Sequence, residues 1–131
     1  MLRWLLTICL LVSSAAASPR LNIADPTSGM ASWYGAREQG KRMANGQRFD
    51  RNKYTCASRT YPLGTMLRVT YGSSTVYVRV TDRGPWVRDR VLDLSEHAAA
   101  VLGIKATGIG YAEIEPVRLW RNNGNHGTRN V

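Results

Sequence analysis

The chain has 131 residues, a formal net charge of +9 and an apolar fraction of 44%. That length suits one domain with its own hydrophobic core and is too short for two. The excess of basic residues favours polyanionic partners. The chain has only two histidines, which argues against a zinc site built from several histidines.

The first 17 residues carry the three-part pattern of a secretory signal peptide. Arg3 supplies positive charge, Trp4–Val12 is a short apolar run, and small residues precede a cleavage site after Ala17. The apolar run is about half of the ~20 residues that a membrane-spanning helix requires. We therefore expect an exported protein, periplasmic or associated with the cell wall, with a mature chain of 114 residues and no transmembrane span.

The two cysteines differ in what they predict. Cys9 lies in the apolar run, where cleavage removes it, and the bulky Ile8 before it does not fit a lipoprotein signal. Cys56 is then the single cysteine of the mature chain, which excludes an intramolecular disulfide. We favour a buried, inert thiol over an intermolecular bridge or a nucleophile.

The charge of the mature chain narrows the class of partner. Without Arg3, 17 basic residues stand against 9 acidic ones. In a cytosolic protein this excess would favour nucleic acid, whereas an exported chain meets wall glycan, anionic wall polymers and membrane head groups. We expect retention at the envelope and no nucleic-acid partner, although a merely solvated basic surface explains the charge equally well.

Turn residues and apolar alternation divide the rest of the chain into short elements. Ser18–Gly29 contains two prolines and no periodicity, which predicts a leader, and Ala36–Asn45 is typical of a polar surface loop. The strands predicted from alternation and β-branched residues are Ala31–Tyr34, Met66–Tyr71, Thr75–Thr81, Val91–Leu94 and Ile109–Val117.

The connections between these elements indicate a barrel. Gly72-Ser73-Ser74 predicts a hairpin turn, after which alternating valines share one face of the strand while Tyr77 and Arg79 take the other. Ser95 is a candidate N-cap for a helix over Glu96–Leu102 that Gly103 ends. Short strands with one small helix predict a mainly β, closed barrel. The basic segment 118–131 is predicted to be a disordered tail.

Nine carboxylates and two histidines leave few candidates for catalysis. No zinc-type spacing and no nucleophile elbow occur, so we expect neither a metal, a cofactor nor a serine triad. Asp82 is the strongest candidate, because it ends an alternating strand and precedes Arg83-Gly84-Pro85, a stiff turn that would hold a general acid in place. The alternative is an aspartate that only caps this turn.

Other carboxylates have weaker claims. Asp93 lies just before the start of the predicted helix, where it could cap the helix N-terminus or interact with its dipole. If the barrel brings it near Asp82, mutual repulsion would hold one of the two carboxyls protonated. Glu38 and Asp50 lie in loop regions and offer less positioning.

Three aromatic residues could contact sugars. Trp33 and Tyr34 could stack on sugar rings, but alternation along their strand predicts that one of them points inward. Trp86, which follows the Asp82 turn, is expected to be exposed.

Five motifs follow one another in a fixed order: ASWYG at Ala31–Gly35, ANGQRFD at Ala44–Asp50, PLGTMLRVT at Pro62–Thr70, VRVTDRGPWVRDRVLDLS at Val78–Ser95 and AVLGI at Ala100–Ile104. Together they resemble the rare lipoprotein A (RlpA-like) family over roughly residues Met30–Val117. The resemblance implies a small six-stranded double-psi β-barrel, related to those of barwin, expansins and membrane-bound lytic transglycosylase A.

The resemblance also implies an activity and a set of site residues. Members of the family are lytic transglycosylases that cleave peptidoglycan between N-acetylmuramic acid and N-acetylglucosamine and leave a 1,6-anhydro end. The family's catalytic aspartate corresponds to Asp82, and the paired aspartates of the similar expansins correspond to Asp82 and Asp93. We expect the protein to be a monomer that acts on glycan strands. The expected substrate-binding residues are Trp33, Tyr34, Asn45, Gln47, Ser58, Arg83 and Trp86.

Two positions depart from the family pattern. Gln47 replaces the glutamate of ANGERFD, and Ser58 replaces the histidine of AAHRT, so neither side chain can shuttle a proton at neutral pH. The lytic reaction nevertheless uses no water, because the muramyl 6-hydroxyl attacks its own anomeric carbon, and one positioned acid can suffice. The alternative is a non-catalytic, expansin-like module that binds or loosens the wall.

Overall fold

The computed structural model describes residues 25–117. The predicted signal peptide with Cys9, the leader up to residue 24 and the tail 118–131 lie outside the described residues. Across the described part, no helix is long and apolar enough to cross a membrane.

Six strands close into one barrel, in the order β1-β5-β2-β4-β3-β6. The parallel pairs β1–β5 and β2–β4 join strands that are distant in sequence and therefore require crossovers. This confirms the predicted fold class, a small mainly β barrel with one short helix. The elements are β1 (Thr27–Tyr34), β2 (Thr55–Ala57), β3 (Met66–Tyr71), β4 (Ser74–Asp82), β5 (Arg90–Ser95), α1 (Glu96–Leu102) and β6 (Ile109–Pro116).

The β3–β4 hairpin forms where alternation predicted it. Tyr71 pairs with Ser74, so Gly72 and Ser73 make a two-residue turn in which Gly72 has a φ of 58°. The alternating valines of β4 are buried, whereas Tyr77 and Arg79 are exposed. The hairpin thus directs one face of β4 into the core and ends the strand at Asp82.

Helix α1 has the predicted ends. The Ser95 side chain accepts a hydrogen bond from the Ala98 backbone N–H, and Gly103 adopts the left-handed conformation with a φ of 96°. Ala98, Ala99 and Leu102 of the helix are buried against the barrel.

The start of β1 differs from the prediction. The strand begins at Thr27 rather than Ala31, so Thr27–Gly29 belong to the barrel and not to the leader. These residues pair through their backbones with β6, and Gly29 lies so close to Val91 that a Cβ would meet that side chain at 2.7 Å. Backbone pairing without buried alternating side chains leaves no periodic signal in the sequence.

Strand β2 was not predicted at all. It has three residues, all buried, and pairs with β4 on one side and β5 on the other. Its central residue, Cys56, is fully buried, and burial followed by the negative charge of Asp93 raises the pKa of the thiol. The structure therefore agrees with the interpretation of Cys56 as an inert core residue.

The core fills the barrel and extends beneath α1. Its largest fully buried side chains come from four strands, the helix and the residue after the helix C-cap, namely Leu67, Val69, Val78, Val80, Leu92, Leu94, Leu102, Ile104 and Ile114. This packed interior holds the strand ends that carry the site at fixed positions.

Candidate functional site

A row of neighbouring residues crosses four strands at one level of the barrel. Ser32 of β1 pairs with Asp93 of β5, Asp93 pairs with Ala57 of β2, and Ala57 pairs with Asp82 at the end of β4. Because adjacent strands lie about 4.8 Å apart, the two aspartates are separated by roughly 10 Å at their backbones. The topology thus brings together the two carboxylates that the sequence singled out.

A cleft of about 260 Å³ opens over this row. Its lining comes from the end of β1 and the loop after it, from Asp82 and Arg83, and from Ala57 and Asp93 on the strands between them. The cleft is lined by Tyr34, Glu38, Lys41, Arg42, Met43, Phe49, Ala57, Asp82, Arg83 and Asp93.

Asp82 is held by backbone groups on both sides. Its Oδ1 accepts hydrogen bonds from the Ala44 N–H at 2.9 Å and from the Arg83 N–H at 2.8 Å. The Oδ2 atom accepts no hydrogen bond within residues 25–117. Asp82 therefore caps its own turn and also presents a carboxylate oxygen to the cleft, so the two sequence interpretations are compatible.

Arg83 braces the turn that carries Asp82. Its Nη1 donates to the Ser58 carbonyl at 2.9 Å and to the Tyr61 carbonyl at 2.7 Å. The Asp82 carbonyl in turn accepts a hydrogen bond from the Ser58 N–H at 3.1 Å. These contacts connect the end of β4 to the segment after β2. Arg83 therefore helps to hold the turn that carries Asp82 at the edge of the cleft.

Asp93 is half-buried and hydrogen-bonded. The Ser32 hydroxyl donates to Asp93 Oδ1. Burial raises the pKa of the Asp93 carboxyl, the Ser32 hydrogen bond and the positive charge of Arg90 oppose that rise, and the negative charge of Glu38 adds to it. Asp93 is therefore easier to protonate than an ordinary aspartate.

We expect the substitution Asp93→Asn to raise the free energy of unfolding near neutral pH. A carboxyl whose folded-state pKa is raised opposes folding once it is ionised, and this penalty disappears as the pH falls below its unfolded value. Asparagine removes the charge and keeps an oxygen that can accept from Ser32. Denaturant unfolding of both proteins between acidic and neutral pH measures the gain. A gain that is absent at neutral pH, or one that does not shrink in acid, would contradict the expectation.

Tyr34 places a buried hydroxyl at the cleft. Its ring lies 4.5 Å from the ring of Phe49, and within the described residues its Oη has no hydrogen-bond partner. Burial raises the pKa of Tyr34, and the negative charges of Asp82, Asp93 and other nearby groups raise it further. The hydroxyl therefore stays protonated, and it is a buried donor without an acceptor among the described residues.

Glu38 is a cleft residue that had only a weak claim in the sequence. Its Oε2 accepts a hydrogen bond from the Gly35 N–H at 3.0 Å. Lys41 and Arg42, which follow on the same loop, also line the cleft and were not singled out at all. Nothing in the periodicity of a loop indicates which of its residues face inward, so the sequence offered no signal for these three.

Asn45 and Gln47 lie on an exposed loop beside the cleft. The Asn45 amide donates to Gln47 Oε1 at 3.1 Å, and Asn45 Oδ1 accepts from the Gln47 N–H at 3.0 Å. The Asn45 backbone N–H donates to the Thr81 carbonyl at 3.1 Å. The pair therefore stiffens the loop that supplies the Ala44 N–H to Asp82, and neither residue belongs to the cleft lining.

Ser58 is buried beneath the site rather than facing it. Its Oγ accepts hydrogen bonds from the backbone N–H groups of Thr60 at 3.2 Å and Tyr61 at 3.1 Å. The side chain is 1% exposed. Ser58 thus stabilises the turn after β2, and it does not belong to the cleft lining.

The two candidate tryptophans, Trp33 and Trp86, lie in different surroundings, and neither belongs to the cleft lining. Trp33 is half-buried against the core and borders a separate shallow depression with Gly103 and Lys105. Trp86 is 77% exposed, as the sequence predicted, and lies four residues beyond Asp82. Alternation along β1 thus directs Tyr34, and not Trp33, towards Asp82.

Comparison with known proteins identifies related sequences. The family model described as "Lytic transglycolase" matches residues 26–115. A probable endolytic peptidoglycan transglycosylase RlpA of Synechocystis is 46% identical over 92 residues, covering 69% of this chain and 29% of that protein. The endolytic peptidoglycan transglycosylase RlpA of Neisseria meningitidis is 38% identical over 109 residues, covering 81% of this chain and 46% of that protein. The chain thus spans less than half the length of these two relatives.

Solved structures share the barrel. The expansin of Clavibacter michiganensis superposes with a TM-score of 0.58 and 31% identity, over 72% of this chain and 51% of that one. A mutant of the same expansin has been crystallised in complex with cellohexaose.

Proposed function

The chain belongs to the lytic transglycolase family, and from that premise we propose that it is an endolytic peptidoglycan lytic transglycosylase. Its substrate is the glycan strand, cut between N-acetylmuramic acid and N-acetylglucosamine to leave a 1,6-anhydro-N-acetylmuramic acid end. The observation that carries the proposal is the Asp82 carboxylate, fixed by two backbone N–H groups at the edge of a cleft large enough for a sugar ring.

Asp82 serves as both acid and base in the proposed reaction. It donates its proton to the bridging oxygen as the bond from that oxygen to the anomeric carbon breaks. The muramyl 6-hydroxyl then attacks the anomeric carbon, and Asp82 accepts the proton that this hydroxyl releases. The aspartate returns to its starting state, and no water is consumed. Asp93, across Ala57, is the second carboxyl near the reacting sugar.

The remaining residues bind and orient the glycan in this proposal. Tyr34 lines the cleft and offers an aromatic contact to a sugar there, and the exposed face of Trp86 offers a stacking surface for a sugar beyond the cleft. The amides of Asn45 and Gln47 lie where they can contact a strand that leaves the cleft over the loop. The basic surface adds attraction to anionic wall polymers, and the protein acts as a monomer at the periplasmic or wall face of the envelope.

Digestion of purified peptidoglycan tests the proposal. The mature chain is incubated with insoluble sacculi, and the soluble products are analysed by mass spectrometry, with heat-unfolded protein as the control. We expect fragments that end in anhydro-muramic acid. If the folded protein releases no such fragments, the proposed activity is wrong.

A non-catalytic binding module is the second candidate. Gln47 and Ser58 replace residues that could move protons, and the similarity to an expansin crystallised with a bound oligosaccharide fits wall binding without cleavage. This candidate predicts that the protein sediments with insoluble peptidoglycan, that salt weakens binding, and that Asp82→Asn binds as wild type does. If the protein does not sediment with insoluble peptidoglycan at low salt, this second candidate function is wrong.

A further inference from the structure

A third carboxylate, Glu38, lines the cleft together with Asp82 and Asp93. We propose that Glu38 is a further catalytic residue, whose carboxylate lies against the reacting sugar and stabilises the positive charge that develops at its anomeric carbon. The inference rests on the proposed function, because it concerns the same site and the same bond.

The backbone holds Glu38 in place on its loop. The Gly35 N–H donates to Glu38 Oε2 at 3.0 Å, and the Glu38 N–H donates back to the Gly35 carbonyl at 3.0 Å. The Lys41 N–H donates to the Glu38 carbonyl at 2.9 Å. Within the part of the chain that the structure describes, the second oxygen, Oε1, accepts no hydrogen bond. The carboxylate is thus fixed through one oxygen and free to contact a ligand through the other.

Glu38 and Asp82 belong to segments that are far apart in the barrel order, yet both line the same cleft. Glu38 follows the end of β1, Asp82 ends β4, and β5 and β2 lie between these two strands. The cleft has a volume of about 260 Å³, which is large enough for one sugar ring.

The charge of Glu38 acts inside the cleft. After burial, which is the main cause in both groups, the negative charge of Glu38 contributes to the raised pKa of Asp93 and to that of Tyr34. Lys41 and Arg42 also line the cleft, and both are more exposed to solvent than Glu38. A sugar that excludes water from around Glu38 would strengthen its interaction with that charge.

The proposed chemistry needs such a charge. As the bond from the anomeric carbon to the bridging oxygen breaks, positive charge spreads over that carbon and the ring oxygen. Asp82 moves the proton, from its own carboxyl to the leaving oxygen and then from the 6-hydroxyl to itself. Glu38 forms no bond and transfers no proton. It lowers the barrier because its charge is already in place before the transition state forms.

The other polar side chains near the cleft suit this role less well. Gln47 is neutral, and its side-chain amide is engaged with Asn45 on the exposed loop. Asp93 accepts a hydrogen bond from Ser32, and burial raises its pKa, so its charged form is less favoured than that of an ordinary aspartate. The cleft lining contains three carboxylates, Glu38, Asp82 and Asp93. Asp82 transfers the proton and Asp93 is less suited, so Glu38 is the carboxylate that fits the role of a fixed negative charge.

The substitution Glu38→Gln tests the inference, because glutamine keeps the oxygen that accepts from the Gly35 N–H and removes only the charge. We expect kcat to fall about 10²-fold, as for the loss of one electrostatic contact in a transition state. KM and the unfolding midpoint should stay unchanged. Glu38→Asp, which keeps the charge, should retain more activity than Glu38→Gln. The matched control is Glu113→Gln, at an exposed position of β6 outside the cleft, which should behave as wild type.

The outcomes separate this inference from the proposed function. If wild type forms anhydro ends and Glu38→Gln forms them at the same kcat, the inference is overturned and the proposed function stands. A raised KM together with a lowered unfolding midpoint would assign Glu38 a structural role and would also overturn it. If wild type forms no anhydro ends, both proposals fall.

Discussion

Asp82→Asn is expected to lower the rate of anhydro-end formation by about 10³-fold, within the range that the loss of a general acid produces. Asparagine cannot donate a proton to the bridging oxygen, yet its Oδ1 can still accept the hydrogen bonds from Ala44 and Arg83. The fold and the affinity for glycan should therefore be retained. The rate is measured from the appearance of anhydro-muramyl fragments at a saturating amount of peptidoglycan.

The matched control for this substitution is Asp89→Asn. Asp89 is exposed on the segment that follows the Asp82 turn, and its φ of 67° is one that asparagine readily adopts. This variant should form anhydro ends at the wild-type rate. Equal rates for wild type and Asp82→Asn would show that another group supplies the proton.

Leu94→Ala is expected to lower the free energy of unfolding by about 2–5 kcal/mol, as for other buried leucines that leave a cavity. Leu94 is fully buried and pairs with Trp33 on one side and Cys56 on the other, where β1, β5 and β2 meet. A loss of this size is a large part of the ~5–15 kcal/mol that stabilises a typical domain. Because Leu94 directly follows Asp93, activity should fall together with stability. Denaturant unfolding measures the first effect.

Leu63→Ala removes the same atoms at a position that is 39% exposed and provides the comparison. Its effect should remain within about 0.5 kcal/mol, as for surface substitutions elsewhere. If the two substitutions lower the free energy of unfolding by the same amount, the barrel interior is not the main source of stability.

The sequence predicted the strands in which side-chain alternation and backbone pairing coincide. Strand β4 shows this best, since its valines face the core and the turn before it fixes its register with β3. The start of β1 and the whole of β2 escaped prediction for a different reason. Thr27–Gly29 are held by backbone pairing with β6, and the three residues of β2 are buried on both faces, so neither segment alternates.

The site was predictable only where a motif or the register determined it. Asp82 stood out because a strand and a stiff turn flank it, and its proximity to Asp93 follows from their shared partner, Ala57. Glu38 lies on a loop, where the direction of a side chain depends on local hydrogen bonds that no sequence period reveals. Ser58 stands where the family pattern has a histidine, and its hydroxyl accepts hydrogen bonds from the backbone of its own turn.

The origin of the new chain end tests the proposed lytic mechanism most directly. Peptidoglycan is digested by the mature protein in water enriched in heavy oxygen, and the masses of the muramyl ends are determined. If the 6-hydroxyl attacks the anomeric carbon, as proposed for the Asp82 site, the ends contain no heavy oxygen and are lighter by one water than a hydrolysis product. Muramyl ends that carry heavy oxygen would contradict this mechanism, because water would then be the nucleophile.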